Sequence, residues 1–212
     1  MRAATTVFLV RHASHDRVGD TLCGRIAGVR LGAAGQAQSR ALAGFLAAQR
    51  ITALLSSPME RARDTAAPVA EQTGLAVRID AGFNEIDVGE WAGQRFDALA
   101  GDARWTEWNH RRATARAPGG ESMAEVQQRA LAALAQLVAD HPGGRVAVVS
   151  HCDVIKAVLA AHLGMSLNDY MRFEIDPASV STLAVWPQDG DLRGKILSLN
   201  IHPDMPSQAA AA

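Results

Sequence analysis

The chain has 212 residues, 48% hydrophobic and 20% charged, with a formal net charge of -1. That length and composition fit a soluble globular protein with one sizeable core. The near-neutral balance excludes the broad basic surface expected of a nucleic-acid or membrane-surface binder, so any anion site has to be built from a few convergent arginines.

Thr6 to Val10 is an unbroken β-favouring run that reads as a buried strand, ending abruptly in Arg11 and His12. Open α/β sheets place ligand crevices at the carboxyl ends of their strands, and a guanidinium beside an imidazole suits a phosphate. A strand that simply surfaces at Arg11 explains the stretch equally well. A polar, glycine-punctuated loop follows from Ala13 to Gly35, long enough to suggest a functional role. Gln36 to Gln49 has helical periodicity, and Ile51 to Ser56 reads as a second strand. Pro58 then suits the first turn of a helix running to about Gln72 and stopped by Gly74. The first turn of such a helix offers free N–H groups to an anion. Arg61 and Arg63 stand two apart on it, so they point to different faces.

Ala76 to Ile79 is expected to be a third strand. The segment Phe83 to Gly93 then sets Glu85, Asp87 and Glu90 among apolar residues. A carboxyl group held this way is a candidate general acid, although solvated turn carboxylates would look the same. From about 94 to 120 the periodicity weakens, and Trp105, Trp108, His110, Arg111, Arg112 and Arg116 suggest a helical insertion or lid, its basic residues either drawing in an anionic substrate or facing solvent. Ser122 and Glu125 have capping-box spacing ahead of a helix to about His141. Arg145 to Ser150 is another buried strand ending in a histidine, His151, with Asp153 placed to cap a helix from Val154 to Leu163. Val180 to Trp186 and Ile196 to Leu199 supply late strands, and the tail from Pro203 to Ala212 reads as frayed.

Strands alternating with helices predict an α/β fold: a three-layer α/β/α sandwich with a mostly parallel central sheet, forming a single domain over 1–212. Cys23 and Cys152 lack CxxC spacing, which leaves a reduced, cytoplasmic protein as the expectation. No segment has the apolar length of a membrane span, and the amino-terminal run is too short for a signal-peptide core.

Leu9-Val-Arg-His12, Leu55-Ser-Ser-Pro-Met-Glu-Arg-Ala62 with Thr65, Asn84-Glu85 with Gly89 and Trp91-Ala-Gly93, Gly120-Glu-Ser122 and Val149-Ser-His151 occur in that order along nearly the whole chain. This series resembles the histidine phosphatase superfamily, the phosphoglycerate-mutase-like family. The resemblance implies a metal-independent phosphomonoesterase with no cofactor, acting on a small phosphorylated metabolite through a phosphohistidine. His12 would be the nucleophile, Arg11, Arg61 and His151 would hold the phosphoryl oxygens, and Glu85 would be the general acid and base.

The chain departs from the family pattern at Ala13, at Ser14-His15 and at Cys152. That directs attention to Ser14, His15 and Arg25 as substrate-shaping contacts. A phosphoglycerate-type mutase, a non-catalytic phosphoester-binding protein and a metal module on His12, His15, His151 and Cys152 are the competing readings. Two arginines in one pocket argue against the metal. A homodimer is left open.

Overall fold

The structure, a computed structural model, describes residues 3–189 and 191–203. The expectation of a frayed tail concerns Pro203 to Ala212 and, beyond Pro203, lies outside the described residues. Six strands form one sheet: β1 (Thr5–Arg11), β2 (Ala53–Ser56), β3 (Val77–Ile79), β4 (Arg145–Ser150), β5 (Val180–Gln188) and β6 (Asp191–Ile201), in the order β3-β2-β4-β1-β5-β6. β3, β2, β4 and β1 are mutually parallel. β5 runs antiparallel to β1, and β6 antiparallel to β5. The sheet is therefore mixed, with three parallel and two antiparallel strand pairings. The late strands are joined by a tight turn near Asp189, and a connection that short can only reverse direction.

The helices are α1 (Ala33–Ala48), α2 (Glu60–Thr73), α3 (Phe96–Leu99), α4 (Ala103–His110), α5 (Met123–Asp140) and α6 (Cys152–Leu163). Strand side chains alternate between two cores, as strand geometry requires. Phe8, Val10, Ala147 and Val149 pack with Leu42 and Leu46 of α1 and Ala66 and Val69 of α2. Val7, Leu9, Val146 and Val148 pack with Leu134 and Leu137 of α5 and Val158 of α6. Both faces of β1 and β4 are buried, which is why those strands read as continuous apolar runs.

Several boundaries follow their expected chemistry. Ser122 and Glu125 close both bonds of a capping box, and Gly74 and Gly164 end α2 and α6 in the left-handed conformation. Two expectations need correction. Pro58 precedes α2, because Met59 remains extended and the helix starts at Glu60. Asp153 is not a cap: His151 occupies that position, and Asp153 sits inside the first turn of α6. Segment 94–120 packs into the core through Leu99, Trp108 and Ala117. Trp91, Trp105 and Trp108 make mutual ring contacts with centroids 5.2–5.5 Å apart. Arg111 pairs with Glu107, and Arg116 with Glu125. Among the described residues, no helix is long and apolar enough to cross a membrane.

Candidate active site

Three parallel strands end side by side. Arg11 is in register with Ser150, and Ser56 with Val149, so His12, His151 and Ser57 leave the sheet at one edge. The N–H of His12 donates to Ser150 O and that of Ser57 to Val149 O, both at 2.9 Å, carrying the pairing past the strand ends. α2 rises from this edge and turns Arg61 inward, while Arg63 is exposed. The hydroxyl of Thr65, one turn on, accepts from Ala13 N at 2.9 Å and donates to Arg61 O at 2.7 Å, tying the loop after His12 to the helix. Behind it, the N–H of Ala178 donates to the carbonyls of Arg11 and His12. Ala178 does so at φ 61°, a left-handed conformation that costs a β-carbon-bearing residue energy and is typical of functional sites.

Arg61, 1% exposed, is the hub. Its Nε donates to His12 Nε2 at 3.3 Å, and its Nη2 donates to Gly24 O at 2.8 Å and Glu85 Oε2 at 3.3 Å. Nη2 also lies 3.3 Å from His151 Nδ1. The His12 and His151 rings have centroids 5.2 Å apart, and His15 stacks on His12 at 5.4 Å. A cavity of about 120 Å³ opens here, lined among others by Arg11, His12, His15, Arg61, Glu85 and Asp153. Ser14 and Arg25 are not on its wall. The Ser14 N–H donates to Gln38 Oε1, and Arg25 reaches the Glu85 carbonyl from behind.

The tautomers follow from the partners. His12 Nδ1 is 2.9 Å from Ala13 O, an acceptor only, so Nδ1 carries the proton and Nε2 presents its lone pair to the cavity. Asn84 Oδ1 accepts from the Glu85 N–H at 2.9 Å and from Ser57 Oγ at 3.3 Å. Ser57, having given its proton to Asn84, must accept from His151 Nε2 at 2.7 Å, which leaves Nδ1 of His151 facing Arg61 and Glu85.

Burial, reinforced by the Arg61 and Arg11 cations, lowers the His12 pKa well below its ordinary value. Burial and Arg61 do the same for His151, and the same causes lower His15 to about 4. Glu85 is shifted the other way: burial raises its pKa against the pull of Arg61, with help from the Asp153 charge. The site therefore combines a neutral imidazole with a carboxyl group biased toward its protonated form.

Glu85 is held by its backbone. Its carbonyl accepts from Arg25 Nε at 2.7 Å and Arg129 Nη2 at 3.1 Å, and Glu121 pairs with both arginines. Asp87 spends Oδ1 on the Gly89 N–H, and Glu90 pairs with Arg104 at the surface; neither lines the cavity. Sequence reasoning missed Ser57, Arg129 and Glu121, and it misread Asp153. Ser57 carried a usable signal, since it leaves β2 where Arg11 and His151 leave their strands. Glu121 carried only its place in the Gly120-Glu-Ser122 match, and Arg129 gave no signal, because its role depends on tertiary packing of α5.

His12, Glu85 and His151 offer ligand atoms within 4.8 Å of one another, a spacing that would admit a metal ion. The Arg61 guanidinium has a nitrogen 3.3 Å from each of these ligand atoms and would repel a cation there. Among the described residues, His15 and Cys152 join no such group. Of the arginines lining the cavity, Arg11 Nε and Arg61 Nη1 are buried without a hydrogen-bond partner among the described residues. Such orphan donors cost about 1–3 kcal/mol each, more when charged, and an anion entering the cavity would relieve them.

The model of the histidine phosphatase superfamily (branch 1) matches residues 7–196. A glucosyl-3-phosphoglycerate phosphatase of Mycobacterium tuberculosis is 33% identical over 180 residues, 80% of each chain. Phosphoserine phosphatase 1 of Hydrogenobacter thermophilus is 32% identical over 203 residues, 92% of each. The structure of the mycobacterial glucosyl-3-phosphoglycerate phosphatase with inorganic phosphate superposes with a TM-score of 0.81 at 28% identity, covering 96% of this chain and 99% of that one. With a family match over most of its length, and arginines and histidines gathered at the strand ends as the motifs require, the chain belongs to the histidine phosphatase superfamily, branch 1.

Proposed function

We propose that the chain is a metal-independent phosphomonoesterase that hydrolyses a small phosphorylated metabolite through a phosphohistidine on His12. The observation that carries this reading is the pair of orphan donors, Arg11 Nε and Arg61 Nη1, beside the unprotonated His12 Nε2. Arg11 and Arg61 hold the equatorial phosphoryl oxygens while His12 Nε2 attacks phosphorus, and His151 adds a donor once Ser57 turns its proton to His151 Nε2 and the ring proton sits on Nδ1. Glu85 gives its proton to the departing alkoxide; as a carboxylate it then takes a proton from the water that attacks the phosphohistidine. Phosphate leaves and His12 is again neutral. The relatives named as phosphatases of glucosyl-3-phosphoglycerate and phosphoserine support small phosphorylated metabolites as the substrate class.

The same reading takes the chain as a three-layer α/β/α domain in the cytoplasm, with 94–120 as a lid whose Phe96 reaches the cavity wall. Rapid-quench labelling with a phosphate ester labelled at phosphorus tests it. An acid-labile phosphoenzyme should form and decay at the turnover rate, and His12→Ala should abolish both signals. A phosphoenzyme that resists water yet passes its phosphate to phosphoglycerate would replace the phosphatase reading with a mutase.

A further inference from the structure

One charged group in the cavity has no part in the proposed chemistry. Asp153 lines the same wall as Arg11, His12, Arg61 and Glu85, yet a phosphate pocket gains nothing from a second carboxylate. Its side chain is 21% exposed, and its one ion-pair partner among the described residues is Arg112, with Nη1 3.7 Å from Oδ2. That separation is beyond hydrogen-bond reach, and Arg112 Nη1 and Nε are both buried without a hydrogen-bond acceptor. A purely structural pair would close this gap. The Arg112 cation rests instead on two rings, 3.2 Å from the Trp108 centroid and 4.3 Å from that of Tyr170. Asp153 stands in the first turn of α6, where the helix dipole favours an acidic residue, and lines the cavity without a hydrogen-bond donor among the described residues.

We infer that Asp153 selects the alcohol half of the substrate, accepting from an ammonium or hydroxyl group close to the ester oxygen and rejecting a carboxylate or second phosphate there. This rests on the phosphomonoesterase reading and narrows its substrate class to amino-alcohol and polyol monophosphates. The side of the pocket follows from Glu85. The acid must face the leaving oxygen, and Asp153 stands near enough to Glu85 for its charge to help raise the Glu85 pKa. Asp153 and Glu85 share the cavity wall, and on this inference the leaving alcohol lies against both. Specificity here comes mainly from repulsion, since an unpaired like charge in a partly desolvated pocket costs more than one added hydrogen bond gains.

O-phosphoethanolamine and 2-phosphoglycolate, similar in size and opposite in the charge of the tail, provide the test, with p-nitrophenyl phosphate as the tail-less reference. The wild-type kcat/KM should favour phosphoethanolamine on the order of 100-fold, the scale of one charge contact at partial burial. Asp153→Asn, nearly isosteric, should bring that ratio to within about 5-fold. If the variant turns over too slowly, the same ratio is read as Kd values by calorimetry in the His12→Ala background, with and without Asp153→Asn. A wild type that treats both esters alike, or a ratio that survives Asp153→Asn, overturns the assignment. Failure to hydrolyse even p-nitrophenyl phosphate would instead sink the phosphatase reading, and this inference with it.

Discussion

Arg61 Nε lies 3.3 Å from His12 Nε2, so a guanidinium N–H covers the lone pair that the proposed chemistry needs. An incoming phosphoryl oxygen has to take over that donor, after which Arg61 grips the substrate and Nε2 is free to attack. In the proposed chemistry one side chain thus adds to burial in disfavouring the imidazolium, orients the ring and receives the anion. Arg61→Lys should reduce kcat/KM for p-nitrophenyl phosphate by about 100-fold or more, because an ammonium cannot reproduce the planar fork. Far-UV circular dichroism should stay unchanged. A loss below about 5-fold would show that the fork is not used.

Glu85→Gln separates acid catalysis from binding. An alkyl ester needs its leaving oxygen protonated and an aryl ester scarcely does, so the variant should lose about 100-fold on glycerol 2-phosphate and far less on p-nitrophenyl phosphate. The single-turnover rates of phosphoenzyme formation on the two substrates give the comparison. Equal losses would remove Glu85 as the acid and return attention to Asp87.

How far these residues could be read from the sequence depended on how local their signals were. Arg11 and His151 end unbroken apolar runs, and such runs mean strands buried on both faces, so the strand ends and the sheet edge they share were legible. Glu85 was legible only as one carboxyl group among three. What separates it from Asp87 is its burial and the Arg25–Glu121–Arg129 network behind it, assembled from residues 36 to 60 positions away. Asp153 was read as a cap from its residue type and position. It lies two residues past His151, and the strand-to-helix turn there is tight enough to make the histidine itself the cap. The antiparallel direction of β5 and β6 escaped because the burial pattern along a strand does not carry its direction.

The pH profile follows from the two opposed shifts. His12 must be neutral, and its pKa is lowered from 6.5, so the acid limb of kcat/KM should lie well below 6.5. Glu85 must be protonated, and its pKa is raised from 4.5, so alkyl-ester turnover should fall as pH climbs through that raised value. Asp153→Asn removes a charge that helps raise it, which should move the descending limb to lower pH and leave the ascending limb in place. Profiles on glycerol 2-phosphate for both proteins measure this. An unmoved descending limb would mean the Asp153 field does not reach Glu85.

Stability should carry the mark of the same histidines. The folded pKa values of His12, His15 and His151 are all lowered, so the unfolded chain binds protons near pH 6.5 that the folded chain refuses. The stabilisation is fully present above about pH 7 and declines as pH falls through about 6.5, where the unfolded imidazoles charge first. Urea midpoints at pH 7.5 and 5.5 should show the loss, and His15→Gln should reduce the difference between them. An unchanged difference would show that His15 titrates normally in the folded protein.

Gly120→Ala probes how Glu85 is carried without touching it. A β-carbon on Gly120 would overlap the Asp87 carbonyl, and one on Gly89 would overlap that of Pro118, so the two strips of chain meet backbone to backbone. The Glu121 N–H donates to Asp87 O at 2.7 Å, and the Glu90 N–H to Pro118 O at 2.9 Å, closing that contact. Neither carbonyl can retreat without moving the loop that ends in Glu85. The substitution should cost about 1–3 kcal/mol of stability through overpacking. It should also displace Glu85 by a fraction of an ångström, enough to slow alkyl esters about 10-fold or more. The split is the readout: the single-turnover rate of phosphoenzyme formation from p-nitrophenyl phosphate, which depends little on the acid, should fall less than that from glycerol 2-phosphate. Equal losses on the two esters would mean that the contact serves stability alone and does not aim the acid.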